Sequence, residues 1–337
     1  METILYKAFK FRLYPNEKQQ IQLAKTFGCV RFVYNHYLAK KIALYEAEKA
    51  NFTYNQCSAD LTQLKKTEYG FLSEVDSVAL QQSLRHLDTA FKNFFKNPQQ
   101  YSYPRFKSKK THQYSYTTIQ GIAVVDGYLK LPKVGLVKMK QHRPIPPDYT
   151  LKSATISQTS SGKYFASLLY AYETDIQPVE PKTVFNLNFS MKNLYTDSDG
   201  DSVNNPMYYQ QFEEKLKREH RKLSQMKKGS KNWEKQRIKL AKLYEKTVNQ
   251  RNDFLHKQSR TISDMYDCVR VESPNLTEMK ETLGFGKEIS DIGWGVFNTF
   301  LEYKLQEQGK QYIKLPVDND VNEKSMFNGN SVASKSA

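Results

Sequence analysis

A chain of 337 residues with 39% hydrophobic and 13% aromatic side chains is long enough for about two domains with sizeable cores, and that apolar content excludes an intrinsically disordered protein. Its formal net charge is +16 and its isoelectric point is near 9.4, a balance that points to phosphate backbones as partners. A membrane surface is the other reading of such charge, but the sequence has no apolar run of ~18 residues and no signal peptide, so a cytosolic, nucleoid-associated protein is expected. Cys29, Cys57 and Cys268 lie far apart and form no Cys-x-x-Cys pair. A zinc site takes four ligands, usually in two close pairs, so reduced thiols are expected and no zinc.

In chain order, residues 3–14 alternate with period two and carry Lys7, Lys10 and Arg12, which predicts a strand. Pro15-Asn16 opens a helix with Leu23, Phe27, Val30, Tyr34, Tyr37 and Leu38 at three-to-four spacing. Leu61–Leu64 and Val78–Phe95 continue the helical pattern. In the second of these, Leu80, Leu84, Leu87, Phe91 and the Phe94-Phe95 pair form one stripe that reads as core.

From Ser102 to Glu173 the texture changes to strands. Ile122 to Leu131 predicts a hairpin turning at Asp126-Gly127. Thr150–Gln158 predicts a strand that turns at Ser160-Ser161-Gly162 and returns along Lys163–Glu173, with Tyr164, Ala166, Leu168 and Tyr170 on one face. A small β-barrel built from residues 1–14 and 104–175, holding a helical insert at 15–103, is expected. Pro178 and Pro181 mark a linker at 176–182, after which Val184–Phe189 and Asn193–Thr196 read as strands ahead of an Asp199-Gly200 turn.

Phe212–Lys246 holds 13 Lys and Arg against 5 Asp and Glu, half of the net charge of the chain. Leu216, Leu223, Met226, Trp233, Leu240 and Tyr244 form one apolar seam broken at Gly229-Ser230, the pattern of a helical hairpin. A basic run is often only a solvated helix face, but this excess of one sign favours a phosphate-facing surface. Its carriers are Lys215, Lys217, Arg218, Arg221, Lys222, Lys227, Lys228 and Lys231, to which Arg105, Lys107, Lys109 and Lys110 are added upstream.

Several ordered stretches fit a known family. They are Tyr6-Lys-Ala-Phe-Lys-Phe-Arg-Leu-Tyr-Pro15, Phe27-Gly-Cys-Val-Arg-Phe-Val-Tyr-Asn35, Tyr103-Pro-Arg-Phe-Lys107, Val271-Glu-Ser-Pro-Asn275, Ile289-Ser-Asp-Ile-Gly-Trp-Gly-Val-Phe297 and Leu301-Glu-Tyr-Lys304. With Lys182–Gly200 they resemble the TnpB family, transposon-encoded RNA-guided nucleases related to the type V CRISPR effectors. The resemblance implies an α+β multidomain protein: a wedge β-barrel with a helical recognition insert, then a RuvC-like (RNase H-like) α/β domain over 183–317. Residues 318–337 are expected to be a disordered tail.

The departures from the family bear on chemistry. Its first strand usually reads Val-Gly-Ile-Asp-Leu-Gly-Leu-Lys-Asn, with the Asp as first metal carboxylate. Anchored on Lys192-Asn193, that Asp falls on Asn188 and the next Gly on Ser190. The zinc ribbon with two Cys-x-x-Cys pairs, and the third Asp behind it, have no counterpart before Ala337. Asp318 and Asp320 come directly after the last strand, too early for that role. Of three family carboxylates only Glu272 remains, so the RuvC-like domain is expected to be degenerate. Two Mg²⁺ ions held by clustered carboxylates are what this cleavage needs, so no productive metal site, no catalytic residue and no enzyme are expected.

The family's binding apparatus implies a guide RNA, a double-stranded DNA target that pairs with it as an RNA–DNA heteroduplex, and a monomeric protein. Contacts to the motif beside the target are carried onto Thr53-Tyr-Asn-Gln56 and Ala79-Leu-Gln-Gln-Ser83, which gives Tyr54, Ser77 and Gln81, with Thr117 or Thr118. Gln pairs bidentately with adenine and a ring packs on a thymine methyl; the alternative is that Tyr54 packs and Gln81 is a plain surface residue. The expected function is that of a nuclease-dead TnpB-like repressor that obstructs RNA polymerase at a promoter. An active RNA-guided nuclease with an unusual site, a guide-free DNA-binding protein and a decayed transposon relic stand as alternatives.

Overall fold

The computed structural model describes residues 3–111, 114–274, 276 and 290–316. The chain divides into two units, Met1–Thr174 and Asp175–Ala337. Among the described residues no helix is long and apolar enough to cross a membrane. The expected tail at 318–337, with Asp318 and Asp320, lies outside the described residues.

In the first unit β1 (Thr3–Tyr14) is the organising strand. Its alternation buries Phe9, Phe11 and Leu13, and it pairs antiparallel with β7 (Tyr164–Thr174) from Thr3↔Thr174 to Leu13↔Tyr164. The remaining strands are β2 (Tyr114–Thr118), β3 (Ala123–Val125), β4 (Tyr128–Leu131), β5 (Gly135–Lys140) and β6 (Thr150–Gln158). The seven run in the order β2-β6-β7-β1-β5-β4-β3. The β3–β4 hairpin turns where expected, with Asp126 at φ 48 and Gly127 at φ 78, the double positive φ of a type I′ turn that glycine tolerates best.

The expected closed barrel is not formed. β2 and β3 each have one neighbour in the sheet, so it remains open. Its apolar face instead shares one hydrophobic core with α1 (Glu17–Glu48), α2 (Tyr54–Leu64) and α3 (Ser77–Lys96), of which α1 and α3 pack on β2 and α2 on α3. Phe27 of α1 stands 6.0 Å from the ring of Tyr114 and 5.7 Å from that of Tyr116, both on β2. The buried Ser83 hydroxyl of α3 donates to the Val30 carbonyl of α1 at 2.8 Å. Helices supply the burial that closure would otherwise provide.

The helix starts follow from capping. Asn16 and Gln19 form a reciprocal capping box on α1, and Thr53 and Gln56 form another on α2. Asp76 caps α3 by accepting from the Val78 N–H at 2.9 Å. One sequence reading fails in part here: the stripe of α3 is fully buried through Leu87 and still packs on the core at Phe91, but Phe95 is 70% exposed. The helix outruns the sheet and the helices that bury its first half, and periodicity cannot report where a partner ends.

The second unit holds a five-stranded sheet in the order β10-β9-β8-β11-β12. Its strands are β8 (Val184–Phe189), β9 (Asn193–Asp197), β10 (Ser202–Asn204), β11 (Cys268–Ser273) and β12 (Gln311–Pro316). The first three form an antiparallel meander, while β11 runs parallel to both β8 and β12. Among the described residues its long helices are α4 (Tyr208–Ser224), α5 (Lys231–Met265) and a later one, α6 (Trp294–Gln306). Leu187, Val269 and Val271 of the sheet pack with Leu255 and Ile262 of α5 and Phe297 and Leu301 of α6. Gly293 enters α6 at φ 74, and a Cβ there would press on Leu255 Cδ1 at 3.1 Å.

Candidate nucleic-acid interface

The candidate base-reading residues gather at the start of α3. Ser77 and Gln81 are exposed and lie one helical turn apart. One turn further, the Arg85 guanidinium stands 4.7 Å over the Tyr54 ring, a cation–π contact from α3 to the first residue of α2. Tyr54 is half-buried against the core, with Arg85 above it. The sequence reading named Ser77, Gln81 and Tyr54 but missed Arg85, although its spacing of four from Gln81 places it on the same stripe.

The threonines are placed differently. Thr118 is fully buried, and its hydroxyl donates to Asp76 Oδ2 at 2.6 Å. Asp76 also caps α3, so Thr118 positions Ser77 and Gln81 rather than presenting its own hydroxyl. The Thr117 and Thr155 hydroxyls hydrogen-bond each other at 2.9 Å, across the β2–β6 register. Within the Thr53-Tyr-Asn-Gln56 motif the two polar ends serve the capping box, which leaves Tyr54 and the exposed Asn55 as the groups available to a ligand.

The second group of candidates follows α3. Arg105, Lys109 and Lys110 are exposed. The Lys107 ammonium lies 4.1 Å over the Tyr34 ring, and burial of that charge lowers its pKa. Lys107 is exposed like its three neighbours, but its ammonium is partly committed to the Tyr34 ring.

The basic hairpin is formed as the seam predicts, with Leu216 and Leu240 buried between α4 and α5 and Gly229 at φ 85 in the turn. All eight expected cations, from Lys215 to Lys231, are exposed. One carboxylate is buried under them: Glu219, only 2% exposed, accepts from Gln236 Nε2 at 2.8 Å and pairs with Lys239 at 2.9 Å. Those two partners, with Lys222 next, hold its carboxyl at about 2. Lys217 is engaged by Glu214 at 2.9 Å. The hairpin is therefore a neutralised interior beneath a cationic surface.

At the carboxyl ends of the parallel strands, Asn188 and Glu272 are brought side by side. Each directly follows a member of the last paired couple, Val271↔Leu187. Glu272 Oε2 accepts from the Phe189 N–H at 3.0 Å, which fastens β11 to β8 at that point. Ser190 Oγ accepts from the Lys192 and Asn193 N–H groups at 3.3 and 3.1 Å, so it builds the β8–β9 turn. Among the described residues no three His, Cys, Asp or Glu side chains gather as metal ligands. The pair present offers one carboxylate and one amide, and does not by itself fit a two-metal centre.

Asp291 is a functional-looking acid with a structural job. It is buried and accepts from the Tyr209 N–H at 2.9 Å and the Gln210 N–H at 3.2 Å. Met207, at φ 49, caps α4 without a side-chain bond, so Asp291 satisfies donors that would otherwise be orphaned.

Comparison with known proteins bears on all of this. Residues 167–283 match the family OrfB_IS605, described as "Probable transposase", and residues 1–50 match HTH_OrfB_IS605, described as "Helix-turn-helix domain". Residues 3–48 form one strand and one long helix here, without a helix-turn-helix. A "Putative RNA-guided DNA endonuclease" of Streptomyces pristinaespiralis is 35% identical over 311 residues, covering 91% of this chain and 76% of that one. "Putative RNA-guided DNA endonuclease InsQ" of Escherichia coli K12 is 30% identical over 329 residues, covering 92% and 80%. Among solved structures, the Cas12f1-sgRNA-target DNA complex matches with a TM-score of 0.47 and 12% identity, over 99% of this chain and 96% of that one. The names of the two long relatives overturn the expectation that the chain is no enzyme. Counting carboxylates in one chain does not outweigh that kinship.

Proposed function

The chain belongs to the TnpB (OrfB_IS605) transposase family, and from that premise we propose that it is an RNA-guided DNA-binding protein. The observation that carries the reading is the exposed stripe Ser77–Gln81–Arg85 with Tyr54 held beneath Arg85. A glutamine and an arginine one turn apart on an outward helix face offer the two side-chain types that pair bidentately with purine edges. A short motif in duplex DNA is the ligand such a stripe fits. The exposed cations of the α4–α5 hairpin hold the guide RNA by its phosphates, position without specifying sequence, and leave recognition of the rest of the target to base pairing.

The strand order of the second unit, an antiparallel meander joined to two parallel strands, supports its reading as the RuvC-like domain, and the first unit is its wedge with the recognition helices. Bound at a promoter, the monomeric complex obstructs RNA polymerase and represses the gene. A second reading, cleavage of the bound target, is favoured by the names of the relatives and by Glu272 at the strand ends.

The test starts by sequencing the RNA that copurifies from the native host, then measures binding to duplex DNA matched to it. A discrete RNA and matched binding lost on mismatching the guide-proximal target are expected. Heterogeneous RNA and sequence-blind binding overturn the reading. Incubating the complex with a matched supercoiled plasmid and Mg²⁺ scores the second reading directly.

A further inference from the structure

Beyond the motif-reading stripe, the far end of α3 and the segment after it build a second surface. Residues 91–111 contain six aromatic rings and six Lys or Arg, with no Asp or Glu. Phe91 and Phe95 stack with centroids 6.2 Å apart and 18° between planes. Tyr103 meets Phe91 edge-on at 5.5 Å and Phe94 edge-on at 5.3 Å. These contacts fix the cluster without covering it: Phe95 is 70% exposed and Tyr103 44%. Leaving rings in water forfeits the transfer free energy that drives such side chains inward, so a contiguous exposed aromatic cluster marks an interaction surface.

Charge selects the partner. Lys96 follows Phe95 directly, and Arg105, Lys109 and Lys110 come after it, all exposed; Lys92, also exposed, is paired with Asp88 at 2.9 Å. A protein partner is served by rings with few charges, whereas cations of one sign interleaved with exposed rings suit bases stacked in succession with phosphates alongside. We propose that this aromatic–basic surface, centred on Phe95, is a stacking platform for an unpaired nucleic-acid strand. It recognises π-faces and phosphates rather than base edges, so it is tolerant of sequence. It is separate from the Ser77–Gln81–Arg85 stripe and does not depend on guided targeting: a chain that loads no guide still has it.

The test uses the full-length protein. Fluorescein-labelled oligothymidylate and oligouridylate report binding at about 0.3 M salt, where phosphate contacts are weakened and stacking counts for more. Phe95→Ala is expected to lose roughly ten-fold in affinity for the strand that uses the platform, and Phe95→Tyr to retain it, because the ring is kept. Duplex DNA affinity is expected to be equal in all three proteins. The two oligomers separate a DNA strand from an RNA strand as the natural source. Irradiation with a 5-iodouracil oligomer, followed by mass spectrometry, is expected to place the adduct on Phe95, Tyr103 or Phe106. Equal single-strand affinity for Phe95→Ala and the parent overturns the proposal, as do adducts confined to other segments. A change of oligomeric state in Phe95→Ala with unchanged strand affinity overturns it in favour of a protein contact.

Discussion

Asn35 grips the backbone of Lys107 from both sides. Its Nδ2 donates to the Lys107 carbonyl at 2.9 Å, and the Lys107 N–H donates to Asn35 Oδ1 at 2.8 Å. One α1 side chain thus fixes the segment that carries Arg105, Lys109 and Lys110. Asn35→Ala removes both bonds, and a loss of about 1–3 kcal/mol of stability is expected. Trypsin is expected to cut after Lys107, Lys109 or Lys110 faster in the variant. Unchanged urea melts together with an unchanged digestion pattern would show that the grip is incidental.

On the reading stripe, Gln81→Ala is expected to weaken binding to the target duplex by about 1–3 kcal/mol. RNA copurification is expected to persist, since Gln81 is exposed and lies on α3 rather than the basic hairpin. Arg85→Ala releases the Tyr54 ring and is expected to weaken the same duplex. Electrophoretic mobility shifts with matched DNA, set beside quantification of bound RNA, measure both. Loss of RNA together with DNA would assign these residues to folding.

The buried carboxylate of the hairpin makes an acid-stability prediction. Glu219 is held at about 2, below its ordinary 4.5, by Gln236, Lys239 and Lys222. A carboxyl with a depressed folded pKa contributes stability above 4.5 that is lost as pH falls toward 2. Denaturant melts of the parent should therefore weaken through that window more steeply than melts of Glu219→Gln. Parallel acid limbs would remove Glu219 from the account.

Lys304 makes the opposite prediction on the alkaline side. Its ammonium is buried, donates to the His256 carbonyl and to Ser259 Oγ, both at 2.7 Å, and desolvation, then Arg260, lowers its pKa to about 8. Between 8 and its ordinary 10.5 the unfolded chain binds more protons, so the contribution of Lys304 rises with pH across that window. Lys304→Met should flatten that component, at a change within about 1 kcal/mol near neutrality. Urea melts at mildly and strongly alkaline pH, compared between the two proteins, decide it.

Much of the frame was legible because it rests on local signals. β8 follows from the alternation of Phe185, Leu187 and Phe189 with Asn186 and Asn188, and the Asp126-Gly127 hairpin from turn chemistry. What escaped depends on distant partners. Closure of the first sheet is decided by whether β2 and β3 meet, and helices occupy the face instead. The exposure of Phe95 depends on where its neighbours stop. Asp291 looked like part of a family wording and proves to cap a helix that begins 83 residues earlier, at Tyr208. β10 is three residues long, too short for an alternation to show. At the candidate site, Tyr54 and Gln81 were reachable from sequence, but the contact of Arg85 with Tyr54 spans two helices.

The division of labour on α3 has a practical consequence. Leu80, Leu84 and Leu87 are buried on one side, while Ser77, Gln81 and Arg85 are exposed on the other. Those three outward positions can be randomised while leaving the hydrophobic anchor untouched. In the reading role proposed for the stripe, selection for altered targets proceeds without purging most variants as misfolded.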